Sequence, residues 1–241
     1  NSLKIINQFN DDRIKYFYSK NYDKLYKARN LALKKAKGEF IAFLDVDDTW
    51  EKNKLQVQSD DIIKNKADIS FSNYWELKKN KKKIFKKSLT AKNINNQILN
   101  NYPIGILTVL IKSDVFFKKN FFFDESYEII GDFDFFFRLS TKVKFSCVNL
   151  PLATYFIHSN NLSIKKLDLE IEEFNNWILN NNQILINNKK KIFENQNIRI
   201  CNYLFNDKKL FVNSSELKKI SNIKIRFKFY LKLILQRLNI L

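Results

Sequence analysis

The 241-residue sequence contains no methionine, one histidine, two cysteines, two prolines and only three glycines. Each shortage removes a class of chemistry. Gly38, Gly105 and Gly131 lie too far apart to build a glycine-rich phosphate loop, so phosphates must be held by other means. Cys147 and Cys201 supply neither a disulfide framework nor a four-ligand zinc site, which points to a reducing compartment. With His158 as the one imidazole, a Ser/His/Asp or Cys/His nucleophile arrangement has no credible partners. No apolar run reaches membrane-span length and no signal-peptide pattern opens the chain, so a soluble or peripheral protein is expected. The missing methionine and the start at Asn1-Ser2 lead to the expectation that an N-terminal segment precedes these residues.

What is present fills a sizeable core: 45% of residues are hydrophobic and 15% aromatic. Basic residues outnumber acidic ones 43 to 25, a formal charge of +18. That balance favours an anionic partner: a phosphate-bearing substrate, a lipid headgroup surface or nucleic acid.

From residue 13 to residue 75, strand-like and helix-like patterns alternate at the spacing of α/β units. Arg13 to Tyr18 reads as a short alternating strand. Lys24 to Lys37 reads as a helix with Leu25, Ala28, Leu31, Ala32 and Ala36 on its apolar face and Gly38 as C-cap. Phe40 to Leu44 (FIAFL) is a continuous apolar run of strand length, and it ends in Asp45-Val46-Asp47-Asp48. Lys52 to Lys64 is helical, Ala67 to Asn73 is a strand, and the lysine-rich stretch 78–87 is a hairpin or loop. Gly105 to Ile111 reads as a second buried strand, with Ser113-Asp114 suited to cap a following helix. Gly131 opens a helix carrying Asp132 and Asp134. Lys144 to Asn149 and Leu152 to Ile157 read as the last strands, separated by Pro151. Residues from about 166 onward turn helical, and residues 189–241 hold 13 basic against 3 acidic side chains. There Ile223, Phe227, Tyr230, Leu231, Ile234 and Leu238 share one face between basic edges, the pattern of a basic amphipathic helix.

Carboxylates crowded at the end of a buried strand repel one another unless a cation sits between them, and oxygen ligands select Mg²⁺ or Mn²⁺. Asp45, Asp47 and Asp48 are therefore either turn caps or a cation site. Asp132, at a helix start, is either a cap or a general base that takes a proton from an incoming hydroxyl. Arg138 reads as structural, paired with a nearby acid. His158 lies just past a strand end.

Taken in order, these segments resemble the bacterial family 2 glycosyltransferases of GT-A fold. The run Ala28-Arg29-Asn30-Leu31-Ala32, then Ala36 through Trp50, then Lys54-Leu55 and Gln58, is similar to the family's central signature. Gly131-Asp132-Phe133-Asp134 with Phe137-Arg138-Leu139 is similar to its acid motif, and Tyr155, His158 and Ser163 to its closing motif. The resemblance implies an α/β fold: a mixed, mainly parallel sheet flanked by helices, as a partial catalytic domain over 1–165 with its first strands missing. A helical extension with a basic amphipathic end would follow over 166–241. It implies that Asp45 and Asp47 form a D-x-D element, with Asp47 on a Mg²⁺ or Mn²⁺ ion and Asp45 facing the nucleotide sugar. Arg29 would contact the donor, Asp132 would be the catalytic base, and His158 would approach the metal or the diphosphate.

The implied reaction moves a sugar, with inversion, from a nucleotide-diphospho-sugar donor to the hydroxyl of a glycan or lipid-linked acceptor. Its setting would be surface glycan biosynthesis (lipooligosaccharide, capsule or O-antigen), in the cytoplasm or peripherally on the inner face of the cell membrane. Two positions depart from the pattern: Gly131 stands where an acid usually precedes the base, and Phe156 where an arginine is common. The family's opening strand, helix and second strand have no counterpart here, so these residues alone are expected to be poorly stable and inactive. The competing readings are a truncated remnant without turnover, and a basic, non-catalytic membrane- or nucleic-acid-binding protein. The second leaves the acidic cluster unexplained, and no nucleic-acid recognition signature is present.

Overall fold

The computed structural model describes residues 2–18 and 24–181. A short helix α1 (Ser2–Ile6) precedes α2 (Leu25–Lys35), β1 (Phe40–Ile41), β2 (Thr49–Trp50), α3 (Lys54–Asn65), β3 (Ile69–Lys78) and β4 (Lys81–Ile84). Then come α4 (Ile94–Asn101), a 3₁₀ turn (Ile106–Thr108), β5 (Val109–Lys112), α5 (Asp114–Phe117), α6 (Gly131–Leu139), β6 (Phe145–Phe156), α7 (Leu162–Lys165) and α8 (Leu167–Asn180).

The strands form one mixed sheet in the order β1-β5-β3-β6-β2, with β4 beside the far end of β3. Only β3 and β6 pair in parallel; the other pairings are antiparallel. The mainly parallel arrangement expected above thus gives way to a mixture among the described strands. Because β5 runs against both β1 and β3, strands β1, β3 and β6 still point the same way, and their carboxyl ends share one rim.

The FIAFL run is a strand only at Phe40 and Ile41, and Leu44 is exposed. Topology explains the early exit. The chain must cross from β1 at one edge to β2 at the other, four strand spacings or roughly 19 Å, in eight residue steps that reach at most about 28 Å. The crossing segment carries Asp45, Asp47 and Asp48 over the rim.

Other expectations shift for local reasons. No strand forms over 13–18: residues 12–18 are exposed, with no described strand beside them to supply a ladder. On α2 the buried residues are Tyr26, Arg29, Asn30 and Leu33, a stripe displaced from the apolar one expected, and the helix ends at Ala36 rather than at Gly38. Gly105 to Thr108 is a turn in which the Thr108 hydroxyl and N–H both donate to the Gly105 carbonyl, at 2.7 and 2.9 Å, so the strand starts only at Val109. Ser113 makes no side-chain cap to the four-residue α5. The two strands around Pro151 are one, β6, whose register slips against β3 next to that proline. The lysine-rich hairpin is present as the β3–β4 turn.

The main buried cluster is rich in aromatic side chains. Helix α6 buries Phe133, Phe135, Phe136, Phe137 and Leu139. Phe133 and Phe137 meet the Trp177 ring edge-on at 4.9 Å, and Phe135 packs on Phe123 at 4.4 Å. The division expected after residue 165 falls ahead of α8, yet Trp177 and Ile178 of that helix are wholly buried in this same core. The basic amphipathic pattern at 223–238 lies outside the described residues.

Candidate active site

A cavity of about 1100 Å³ opens at the shared rim, lined by Arg29, Asp45, Asp47, Asp48, Asp132 and Tyr155 among others. That is just above the roughly 300–1000 Å³ of usual ligand pockets. At its mouth, Arg29 of α2 donates to both oxygens of Asp45, at 2.9 and 3.2 Å. Arg29 itself is nearly buried, its guanidinium 5.4 Å from the Tyr26 ring and 6.0 Å from that of Phe43. Two residues on, Asp47 meets His158 Nε2 at 2.9 Å. Asp48 turns inward and accepts the Phe156 N–H at 3.0 Å, which pins the crossing segment to the end of β6. Burial, with Asp47 and Asp45 alongside, pushes its carboxyl up to about 6. The trio thus separates into two exposed acids and one structural tether.

His158 is held as well. Asn161 accepts its backbone N–H at 2.6 Å, and the Asn160 N–H points at Nδ1 at 3.1 Å. With Nδ1 accepting, the ring proton is assigned to Nε2, which donates to Asp47. His158 in this arrangement offers an N–H to the Asp47 carboxylate, at the place where the resemblance implied an approach to the metal or the diphosphate.

Asp132 sits deeper. The Phe133 N–H donates to its Oδ1 at 2.8 Å, Tyr26 O–H to the same oxygen at 3.3 Å, and Tyr102 O–H to Oδ2 at 3.2 Å. Burial raises the carboxyl, while Arg29 and these donors pull it back. The loop before it is fixed from α8: Glu173 accepts the consecutive N–H groups of Glu128, Ile129 and Ile130 at 2.6, 2.9 and 3.0 Å. Asp134, the other acid of the motif, faces the opposite way and is structural, taking hydrogen bonds from Trp177 Nε1 at 3.0 Å and Arg138 Nε at 2.7 Å.

Of the residues to which the resemblance assigned roles, Arg29, Asp45, Asp47 and Asp132 therefore line one cavity, and His158 reaches it through Asp47. Arg29, Asp45 and Asp47 line its mouth, His158 touches Asp47, and Tyr26 bridges from Arg29 to Asp132. Tyr26 and Tyr102 were missed, because a tyrosine on a helix or before a proline carries no local signal of contact with an acid 106 or 30 residues away. Lys54, fully buried on the core side of Trp50, was seen only as part of a motif. Its ammonium donates to the Val109 carbonyl at 3.2 Å and lies 4.5 Å from the Trp50 ring centre, and burial lowers it to about 7.

Among the described residues no three His, Cys, Asp or Glu side chains are grouped as a metal cage. The exposed carboxylate of Asp47, with Asp45 two residues away, does fit a hard divalent ion that takes one or two protein oxygens and completes its shell with water and phosphate.

The model for glycosyl transferase family 2 matches residues 1–126. Among curated relatives, an Escherichia coli UDP-Glc:alpha-D-GlcNAc-diphosphoundecaprenol beta-1,3-glucosyltransferase, WfgD, is 40% identical over 104 residues, 43% of this chain and 41% of that protein. A putative teichuronic acid biosynthesis glycosyltransferase of Bacillus subtilis, TuaG, is 35% identical over 106 residues, 42% and 40% of the two chains. A glycosyltransferase of Haemophilus influenzae is 30% identical over 168 residues, 68% of this chain and 64% of that one. The matches to the first two thus span about two-fifths of those proteins. Among solved structures, S. aureus TarS 1-349 in complex with UDP-GlcNAc superposes with a TM-score of 0.56 at 16% identity, over 96% of this chain and 74% of that one, which identifies the shared GT-A fold.

Proposed function

We propose, for a chain that belongs to glycosyl transferase family 2, that the cavity transfers a sugar from a nucleotide-diphospho-sugar to an acceptor hydroxyl with inversion at the anomeric carbon. The observation that carries this reading is the pairing of opposed acid environments in one cavity: exposed Asp45 and Asp47 at the mouth, and the partly buried Asp132 at the back.

Asp132 serves as the base. Burial has raised its carboxyl, so it takes a proton more readily than a solvated aspartate, even with Arg29 and its hydrogen-bond donors pulling the other way. The acceptor hydroxyl gives its proton to Asp132 as its oxygen bonds to the anomeric carbon; the bond to the diphosphate breaks and the pair of electrons leaves with the phosphate. Asp47 would hold Mg²⁺ or Mn²⁺, which when bound offsets charge on the departing diphosphate. Arg29, held against Asp45, orients that acid toward the donor and brings a second positive charge to the mouth. His158 presents its Nε2–H beside Asp47, where it suits a phosphate oxygen.

A uridine diphosphate sugar as donor is supported by the UDP-Glc in the name of WfgD and by the UDP-GlcNAc bound in TarS. A lipid-linked glycan acceptor and a role in surface polysaccharide assembly are supported by the names of WfgD and TuaG. That acceptor would place the enzyme peripherally at the inner face of the membrane; no described helix is long and apolar enough to cross one.

The test is UDP release by the intact protein with UDP-glucose, a lipid-linked acceptor and Mn²⁺. Asp132→Asn and Asp47→Asn should each lower turnover by about 10²- to 10⁴-fold. Wild-type rates in Asp132→Asn would overturn the assignment of the base, and rates indifferent to chelation would remove the ion.

A further inference from the structure

Asp132 presents its two oxygens unequally. Oδ1 receives two donors, the Phe133 N–H and the Tyr26 hydroxyl; Oδ2 receives one, the Tyr102 hydroxyl. A carboxylate oxygen has two in-plane lone pairs, so Oδ1 is filled and Oδ2 retains one. The Tyr26 hydroxyl has one proton and two acceptors, since it also donates to the Ile129 carbonyl at 2.9 Å. It can therefore face Asp132 while that group is ionised and turn wholly to Ile129 when it is not. Among the described residues the Tyr102 hydroxyl shows no second acceptor beside Asp132, so Tyr102 favours the ionised form alone.

Gly131 is what allows Tyr26 to lie there. A Cβ at position 131 would stand 2.6 Å from Cδ2 and Cε2 of the Tyr26 ring and 2.8 Å from Cζ, closer than atoms approach. The ring is buried, packed against Phe123 at 5.4 Å and under the Arg29 guanidinium, so it has nowhere easy to retreat. Glycine before Asp132 and tyrosine at 26 are two halves of one fit.

We propose that Tyr26 and Tyr102 are positioning residues for Asp132, saturating Oδ1 and half of Oδ2 so that the remaining Oδ2 lone pair is the one that receives the acceptor proton, and that Gly131 is required to seat Tyr26. This rests on Asp132 being the base. The titratable and charged groups about it are Tyr26 and Arg29 from α2, Tyr102 from the end of α4, Tyr74 from β3, and Glu170 and Glu173 from α8, the last engaged with the loop amides.

The experiment is the pH profile of kcat/KM for the intact protein at saturating Mn²⁺, in wild type, Tyr102→Phe, Tyr26→Phe and Gly131→Ala, with Asp132→Asn as control. Each phenylalanine keeps the ring and removes a donor to the carboxylate; Tyr26→Phe also gives up the bond to the Ile129 carbonyl. The acid-side midpoint should rise by about one pH unit in Tyr102→Phe and by less in Tyr26→Phe, with Gly131→Ala following Tyr26→Phe. Unmoved midpoints in both phenylalanine variants, whatever happens to kcat or thermal stability, would overturn the proposal while leaving the base in place. Wild-type transfer by Asp132→Asn would instead show that the base assignment had failed.

Discussion

Two aspartates of one cavity live under opposite rules. Asp47, at the mouth, leaves 37% of its side chain to solvent and has a histidine as its partner. Asp132, at the back, is held by two hydroxyls and an amide, all from ordered elements. The first can exchange its partner for an ion or a phosphate with little rearrangement; the second cannot leave its bonds without exposing buried donors. Identical side chains thus acquire different chemistry from what surrounds them, much as two carboxylates in one site can divide the labour of acid and base.

The contrast can be broken most severely by exchanging the environments. Asp132→Asn keeps most of the hydrogen bonds yet removes the proton acceptor, and its loss of about 10²- to 10⁴-fold in turnover should be the same at every Mn²⁺ concentration. Asp47→Asn should instead raise the Mn²⁺ concentration needed for half-maximal rate, a difference that a metal titration of both variants reads directly. Trp177→Ala should destabilise the fold by about 3–5 kcal/mol, seen in urea unfolding, because it empties the pocket between Phe133 and Phe137 and leaves Asp134 Oδ1 without its indole donor, Arg138 still holding the other oxygen.

A fourth effect comes from Lys54, whose ammonium is lowered to about 7 by burial. Between that value and its unfolded value near 10.5 the unfolded chain binds the extra proton, so stability rises with pH across this window. The gain from pH 7.5 to 9.5 should be roughly 2 kcal/mol in wild type, and the part due to this residue should vanish in Lys54→Met. The smallest effect belongs to Arg29→Lys: the half-exposed pair with Asp45 should cost about 1 kcal/mol of stability or less, whereas donor affinity measured by calorimetry falls several-fold as the fork of donors is lost.

The mouth was legible in the sequence and the back was not. Asp45, Asp47 and Asp48 fall within four residues, follow an apolar run, and announce their repulsion in the sequence itself. Asp132 could be found as an acid opening a helix, but Tyr26 and Tyr102 come to it from two other helices, and nothing in their own neighbourhoods distinguishes them from packing residues. The buried stripe of α2 was misjudged for a related reason. Periodicity weighs apolar residues, and that stripe contains Arg29, bonded to Asp45, and Asn30, which donates to the Phe123 carbonyl and accepts the Phe123 N–H at 2.9 and 3.1 Å. The sheet's pairing was equally hidden, since the short β1 and β2 are set by where the crossing segment must start and land rather than by strand propensity.

Glu173 carries an implication for anyone who would transplant this site. One carboxylate on α8 satisfies three successive amides of the loop leading into Asp132. A chimaera spliced ahead of residue 167 would strip that loop of its clasp and uncover the indole-filled hollow beneath α6, so the smallest portable unit must extend through Asn180.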